Sequence, residues 1–427
     1  MKARIRFTEQ LRGTLNPPSS KNYTTRYLLV AALADGESVV HYPAQSQDAD
    51  ALLRCLVDLG AGIREEIDDS GGRHLHVSGF GGKPKGPGVL DVGNAGAVAR
   101  MLMGVGGLLP SVRFETPFPE SLGLRPHDEL FSGLEQLGAS VEAAGGRLPA
   151  TIRGGVLHGG TVRISGSRSS QFLSSLLFLA PMVGEDVRIE ITDELISQPL
   201  VTTTLEVMRQ AGIVIDVADD LLSFQIAGGQ SYRPGEYRVN GDWPSSAAIL
   251  AAGALTCSGI IVERLFEDGQ GERAVLDWLR ETGVDVSWDG ERVELRGHDG
   301  LRGVDFDGDQ ATDAVLAMLT VAAHADGTSR FYGIGNLRYK ECDRITVPVN
   351  ELRRFGVDCH EEGEAIVVRG RAAGYDGGHE AQTYHDHRVA QMQALMGLRS
   401  LDGAVVLDAE TVGKSYPAFF NDLIGLG

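Results

Sequence analysis

The run NLRYKECDRI, Asn336 to Ile345, packs Arg338, Lys340, Glu341, Asp343 and Arg344 into seven residues. Lys340 and Arg344 are like charges four apart. On a helix surface such a pair costs stability unless something negative sits between them, so the spacing predicts a ligand anion or Glu341 in that place. Glu341, beside Lys340, is a candidate general acid or base whose pKa its neighbours can tune. Asp313, at the start of a long apolar segment, is a second carboxylate candidate, although on position alone a helix cap is the better reading. The run PSSKNYTTR, Pro18 to Arg26, sets Lys21 and Arg26 among short hydroxyl and amide side chains, directly ahead of the apolar YLLVAALA. Cations and small polar groups at the mouth of a buried helix suit an anion. Other chemistries fail on spacing. There is no phosphate-binding P-loop, no nucleophile elbow and no zinc-protease motif. DFDGDQ, Asp305 to Gln310, has its glycine in the wrong place for a calcium loop and lacks the terminal glutamate. HDHR, His385 to Arg388, has no matching carboxylate cluster and reads as structural or anion-contacting rather than metal-binding.

These residues need elements to position them. At 427 residues the chain is too long for one core, so two or more domains are expected. Hydrophobic residues make up 42% and charged residues 23%, as in ordinary globular enzymes. The 56 glycines show no collagen-like period and read as many tight connections. A net charge of −19 argues against nucleic acid and anionic membranes as partners, because no broad basic surface is available. It also means that an anion site must work through local cations. Cys55, Cys257, Cys342 and Cys359 are scattered, which fits a reducing cytoplasm and neither a zinc site nor a disulfide framework. MKARIRFTEQLRG has no apolar core of a signal peptide, and no apolar run reaches membrane-spanning length.

An internal repeat organises the chain. CLVDLGAGI, LEQLGASVE, VMRQAGIVIDV, WLRETGVDVSW and ELRRFGVDCHE each read as a helix ending in a glycine followed by a short strand, with glycines at 60, 138, 212, 283 and 356. A helix whose C′ position is left-handed explains the glycine. Alternating with these are six Ala/Leu-rich segments that start at Thr24, Asn94, Ser169, Ser245, Thr312 and Asp386. They are apolar nearly all round, which predicts buried helices, and each opens on an N-cap residue type. If such helices pack in parallel, their N-termini make an electropositive surface suited to phosphate or carboxylate. Arg26 and Arg388 lie in the first and sixth helix starts, Arg100 one to two turns into the second, and Lys21, Arg125, Lys340, Arg344 and Lys414 in loops or near element ends. Eight cations gathered at such junctions predict a polyanionic small substrate.

The residues resemble the 5-enolpyruvylshikimate-3-phosphate synthase family across essentially the whole chain. The resemblance rests on SKxYTxR (Ser20 to Arg26), GNAG (Gly93 to Gly96) with Arg100, RP at Arg125, GSxSSQF (Gly166 to Phe172), ISxP (Ile196 to Pro199) and GDxxSSA (Gly241 to Ala247). It continues through Asp313, NxRxKExDR (Asn336 to Arg344), DHR (Asp386 to Arg388) and GKSYP (Gly413 to Pro417). It implies an α/β fold of two similar domains, each of three βαβαββ-like repeats, with the active site in an interdomain cleft. Residues 21–240 would form one half, and 1–20 with 241–427 the other. It implies transfer of the enolpyruvyl group of phosphoenolpyruvate to the 5-hydroxyl of shikimate 3-phosphate, through a tetrahedral ketal and without metal or organic cofactor, by a cytoplasmic monomer. Asp313 would be the base on the 5-hydroxyl, Glu341 the proton donor to C3, and Lys21 would touch both substrates. Phosphoenolpyruvate would meet Gly96, Arg125, Gln171, Arg344, Arg388 and Lys414. Shikimate 3-phosphate would meet Arg26 at its carboxylate, and Asn22, Ser169, Ser170, Gln171, Ser197, Asp313, Asn336 and Lys340 elsewhere.

The sequence departs from the family pattern at Ser19, Asn22, Ala97, Met101 and Leu200, where Gly, Ser, Thr, Pro and Tyr are common. The Leu200 change removes a ring from the shikimate surface, whereas Asn22 still donates hydrogen bonds. Gly96 leaves room for a phosphonate inhibitor, which predicts sensitivity to glyphosate. UDP-N-acetylglucosamine enolpyruvyl transferases carry a Lys-Asn pair like Lys21-Asn22. They also carry a reactive Cys in the loop that here reads TPFPESLGLRPHDEL, where none is present. A non-catalytic anion-binding paralogue is disfavoured by the retention of both carboxylates and all the cations.

Overall fold

The computed structural model describes residues 1–427. Twelve α-helices alternate in character along the chain. They are α1 (Lys21–Leu33), α2 (Gln47–Asp58), α3 (Gly96–Gly106), α4 (Asp128–Gln136), α5 (Ser170–Leu179), α6 (Gln198–Gln210), α7 (Trp243–Leu255), α8 (Val275–Glu281), α9 (Val315–Ala323), α10 (Thr346–Arg354), α11 (His387–Leu398) and α12 (Phe419–Gly425). The odd-numbered helices are the apolar Ala/Leu segments and are buried on every side; all thirteen residues of α7 are buried. The helices between them are one-sided. In α2, Ala49, Leu52, Cys55 and Leu56 face inward while Arg54 and Val57 face out, the spacing of an amphipathic helix. α2, α4, α6, α8 and α10 run into Gly60, Gly138, Gly212, Gly283 and Gly356, whose φ values of 105°, 97°, 82°, 103° and 90° disfavour any side chain.

Two of the six helix starts, at Ser169 and Asp386, meet the sequence expectation, and four differ from it. Ser20, Ser169, Asp242 and Asp386 cap α1, α5, α7 and α11 through their side chains. α1 and α7 therefore begin ahead of Thr24 and Ser245. In α7 the reason is Pro244, which the first turn accepts because its missing N–H would have no partner there. α3 and α9 have no side-chain cap. Their N-cap residues are Ala95 and Ala314, so Asn94 and Thr312 lie outside the cap position.

Six small mixed sheets carry the helices, five of four strands and one of three. One pattern recurs. In the sheet around α5, Gly160–Ile164 runs parallel to Val187–Ile191, with α5 as the crossover, and an antiparallel hairpin of Ile215–Val217 and Ser223–Ile226 follows α6. Val162, Ile164, Val187, Ile189, Phe224 and Ile226 are buried on alternate positions, so the pleat sets one face against the helices. Distant segments complete three of the sheets. Glu236–Arg238 pairs with Glu37–His41, Gly13–Leu15 with Ile260–Val262, and Ala3–Ile5 with Ala404–Val406. The chain accordingly divides into two compact units, one of Ser19–Val239 and one of Met1–Pro18 with Asn240–Gly427. Each unit holds its own apolar core.

Candidate active site

Within Ser19–Val239, α3 and α5 run side by side in the same direction. Arg100 Nη1 donates to Gln171 Oε1 at 2.9 Å and Ser169 Oγ at 3.3 Å, and one turn later Gly104 N donates to Ser175 Oγ at 3.1 Å. The expectation of parallel helix starts is met here, and it brings Ser169, Ser170 and Gln171 beside Arg100. The Arg100 guanidinium also lies over the Phe172 ring. Gly96 opens α3 with the Arg125 guanidinium against its Cα. A side chain there would put Cβ 2.6 Å from Arg125 Nη1, so glycine is what admits that cation. His127 is fully buried near Arg100 and Arg125. Burial and then those two charges hold its pKa well below the usual histidine range, so it stays neutral.

Arg26, 1% exposed, is held at all three nitrogens. Nε donates to Thr204 Oγ1 (2.9 Å), Nη1 to Asn22 O (3.0 Å) and Nη2 to Leu200 O (3.0 Å). Burial lowers its pKa to about 10, which leaves it charged at neutral pH. Two of these acceptors are backbone carbonyls of positions that depart from the family pattern. Changing those side chains leaves the anchoring of Arg26 in place. Lys21 Nζ lies 3.4 Å from Asp48 Oδ2, a partner in the first turn of α2. Ser197 precedes α6 at a φ of 51°, a left-handed conformation that costs a serine roughly 1 kcal/mol or more and marks a constrained position.

Within the other unit, Arg344 is the hub. It is 1% exposed, and its Nε and Nη2 grip Asp386 Oδ2 and Oδ1 at 2.7 and 2.9 Å. Nη2 also donates to Glu341 Oε2 at 2.8 Å, and Nη1 to Asp313 Oδ1 at 3.0 Å. Burial works against its charge, but Asp386, Glu341 and Asp313 outweigh burial and hold its pKa well above the usual value. The other oxygen of Glu341 lies 3.0 Å from Lys414 Nζ, itself buried. Arg388 Nη1 donates to Pro244 O at the start of α7 (2.7 Å), and Arg388 Nη2 lies 4.0 Å from Asp313 Oδ2. The starts of α7 and α11 and the approach to α9 thus meet at these side chains.

Two expectations are corrected. Lys340 and Arg344 do not share a helix face, because Lys340 ends a short 3₁₀ turn (Gly335–Tyr339) in extended conformation and helix α10 starts only at Thr346. Glu341 pairs with Arg344, as expected, and also with Lys414. Asp313 is not a helix cap. It sits in a 3₁₀ turn (Thr312–Ala314) ahead of α9, and its carboxylate reaches Arg344. The charged run also sorts itself. Arg338 pairs with Asp343 and Glu361, and Asp343 Oδ1 accepts from the N–H groups of Ile345 and Thr346 at the start of α10, so those charges are structural. Asn336, 5% exposed, lies in the 3₁₀ turn that Lys340 ends.

Sequence reasoning missed three carboxylates. Asp48 is an unremarkable first-turn acid in the sequence, and Asp386 reads as a cap, which it also is. Glu272 carried no signal at all. It is fully enclosed, and its Oε1 accepts from Asp313 N at 3.4 Å. Burial first, and then the charge of Asp313, push its pKa up to about 7.

Comparison with known proteins shows the family. Residues 5–423 match the model of EPSP synthase (3-phosphoshikimate 1-carboxyvinyltransferase). A 3-phosphoshikimate 1-carboxyvinyltransferase of Deinococcus radiodurans is 43% identical over 98% of this chain and 94% of its own length. One of Methanosarcina acetivorans is 36% identical over 98% and 96%. The fold is shared with an EPSP synthase structure from Acinetobacter baumannii, with a TM-score of 0.80 and 24% identity over 100% of this chain and 98% of that one. On the match along residues 5–423 and on these relatives, the chain belongs to the EPSP synthase family.

Proposed function

We propose that this chain transfers the enolpyruvyl group of phosphoenolpyruvate to the 5-hydroxyl of shikimate 3-phosphate and releases phosphate, as a step of aromatic amino-acid biosynthesis. The observation that carries the reading is the pair of carboxylates, Asp313 and Glu341, joined through the single buried guanidinium of Arg344, with Lys414 and Arg388 beside them. The chemistry needs one proton taken from a hydroxyl and one given to carbon, next to cations that hold two anionic substrates. In the addition step, Asp313 takes the proton of the 5-hydroxyl and the oxygen bonds to C2 of phosphoenolpyruvate. Glu341 gives its proton to C3, which becomes a methyl group. In the elimination step, the C2–O bond to phosphate breaks, a methyl proton returns to Glu341, and the phosphate leaves with the proton held by Asp313.

Arg344 and Lys414 occupy both oxygens of Glu341. The remaining assignments are those that the family resemblance implies. Lys21, Asp313 and Glu341 carry the chemistry. Lys21, Gly96, Arg125, Gln171, Arg344, Arg388 and Lys414 bind phosphoenolpyruvate. Lys21, Asn22, Arg26, Ser169, Ser170, Gln171, Ser197, Asp313, Asn336 and Lys340 bind shikimate 3-phosphate. We take residues 21–240, and 1–20 with 241–427, as the two working halves, and the protein as a cytoplasmic monomer, a state that light scattering reads directly. No helix is long and apolar enough to cross a membrane.

The test is phosphate release from phosphoenolpyruvate with shikimate 3-phosphate, and then with UDP-N-acetylglucosamine, as acceptor. Turnover with the first alone is expected. Asp313→Asn and Glu341→Gln should each lower kcat by about 10²–10⁴ with the fold intact. Turnover with neither acceptor, or wild-type kcat in both variants, refutes the reading.

A further inference from the structure

Arg388 differs from the buried Arg344 and Arg26 in how its donors are used. A guanidinium has five N–H groups and meets a carboxylate or phosphate best along one edge, through two parallel hydrogen bonds. Arg344 has its Nε–Nη2 edge filled by Asp386. Arg26 has an oxygen on each nitrogen. In Arg388, both hydrogens of Nη1 are accounted for, one by Pro244 O at 2.7 Å and one by Gln391 Oε1 at 3.2 Å. Nε has no partner although the side chain is 3% exposed, and the closest carboxylate oxygen to Nη2, on Asp313, is 4.0 Å away, beyond hydrogen-bond length. One complete bidentate edge, Nε with Nη2, is left open.

Gln391 lies three residues after Arg388, on the same face of α11. It is 2% exposed, and only its oxygen is used; its Nε2 has no partner. A buried amide with an unmade hydrogen bond costs stability, and an apolar side chain of similar volume would avoid that cost. Packing gives no reason for glutamine at this place, whereas orientation of the guanidinium does.

We infer that Gln391 is a positioning residue for Arg388. By accepting from Nη1 it fixes the rotation of the guanidinium and leaves the Nε–Nη2 edge as the one offered to the anionic substrate. This inference rests on the reading of Arg388 as a phosphoenolpyruvate ligand. It is tested with Gln391→Met, which keeps the volume and loses the acceptor, and with Gln391→Leu as a second variant. KM for phosphoenolpyruvate should rise about 10-fold, as expected for one poorly oriented bidentate contact, while KM for shikimate 3-phosphate changes less than 2-fold and the melting temperature stays equal or rises. An unchanged KM for phosphoenolpyruvate, or a lowered melting temperature with both KM values moving together, overturns the inference and makes Gln391 a packing residue. If the wild-type protein turns over neither acceptor, the failure belongs to the proposed function. Titration of wild type and Gln391→Met with inorganic phosphate then decides for Gln391, with about 10-fold weaker binding expected in the variant and equal binding overturning the inference.

Discussion

Gly96→Ala isolates the contribution of one cation. The added Cβ would stand 2.6 Å from Arg125 Nη1, while its next contacts, 3.6 Å to the Arg125 guanidinium carbon and 3.7 Å to Leu122 Cδ1, are ordinary. The guanidinium must therefore retreat by about 0.8 Å to reach normal van der Waals separation. A hydrogen bond of about 2.9 Å stretched by that amount is no longer one. A charge-assisted hydrogen bond contributes about 1.5–3 kcal/mol, which corresponds to roughly 10- to 150-fold in affinity. The backbone meets no penalty, since Gly96 is helical and alanine favours a helix by about 1 kcal/mol over glycine. The two effects have opposite signs. In phosphate-release assays with varied phosphoenolpyruvate and saturating shikimate 3-phosphate, KM for phosphoenolpyruvate should rise by one to two orders of magnitude. By calorimetry or circular dichroism the melting temperature should stay level or rise. A KM within 2-fold of wild type would show that Arg125 does not hold the substrate at this place. A melting temperature lowered by several degrees would show that the clash is absorbed by the backbone and not by the side chain.

Other outcomes follow from buried titratable groups. Burial holds the His324 pKa down at about 4, against an ordinary 6.5, so the unfolded chain binds a proton that the folded chain refuses. Stability present above pH 6.5 should be lost as pH falls from 6.5 towards 4, by up to about 3 kcal/mol, and denaturant titrations of His324→Gln should show a flatter profile over that window. Glu272 behaves in the opposite sense, because its folded pKa of about 7 exceeds its ordinary 4.5. Wild-type stability should therefore be lost as pH rises from 4.5 through 7. Glu272→Gln should be the more stable protein at pH 8, by up to about 3 kcal/mol, with the difference closing near pH 4.5; an equal difference at both pH values would refute the assignment.

What the sequence made legible was local. The buried helices follow from apolar residues on every face, and the five helix-terminal glycines from the need for a left-handed backbone, both of which act within a few residues. The helix starts were read less well, because Ser245 and Asp242 are both good caps and only the tolerance of Pro244 in the first turn decides between them. The site was legible as a collection of residue types and not as a network. The i, i+4 argument for Lys340 and Arg344 assumed a helix that residues 340–344 do not form. The partners of Arg344, Asp313 and Asp386, lie 31 and 42 positions away, and Glu272 reaches Asp313 across 41. Spacing carries no information about pairs brought together only by packing of separate repeats.

The network also shows how a chain of net charge −19 keeps cations available to anions. Paired with carboxylates in a buried place, a cation avoids the cost of standing alone, but the pairing also quenches it. The three cations around Asp313 and Glu341 sit at different points along that trade. Arg344 has four of its five N–H groups on carboxylates and serves mainly to hold Asp313, Glu341 and Asp386 in register. Lys414 is paired with Glu341, so a substrate that binds it must take it from that carboxylate. Arg388 satisfies Nη1 with neutral oxygens, which orient it without spending its charge. On this account the three should not respond alike to substitution by neutral residues. Loss of Arg344 leaves the buried Asp386 carboxylate without its guanidinium and should unfold the site, whereas loss of Arg388 should weaken phosphoenolpyruvate binding in a protein that remains folded.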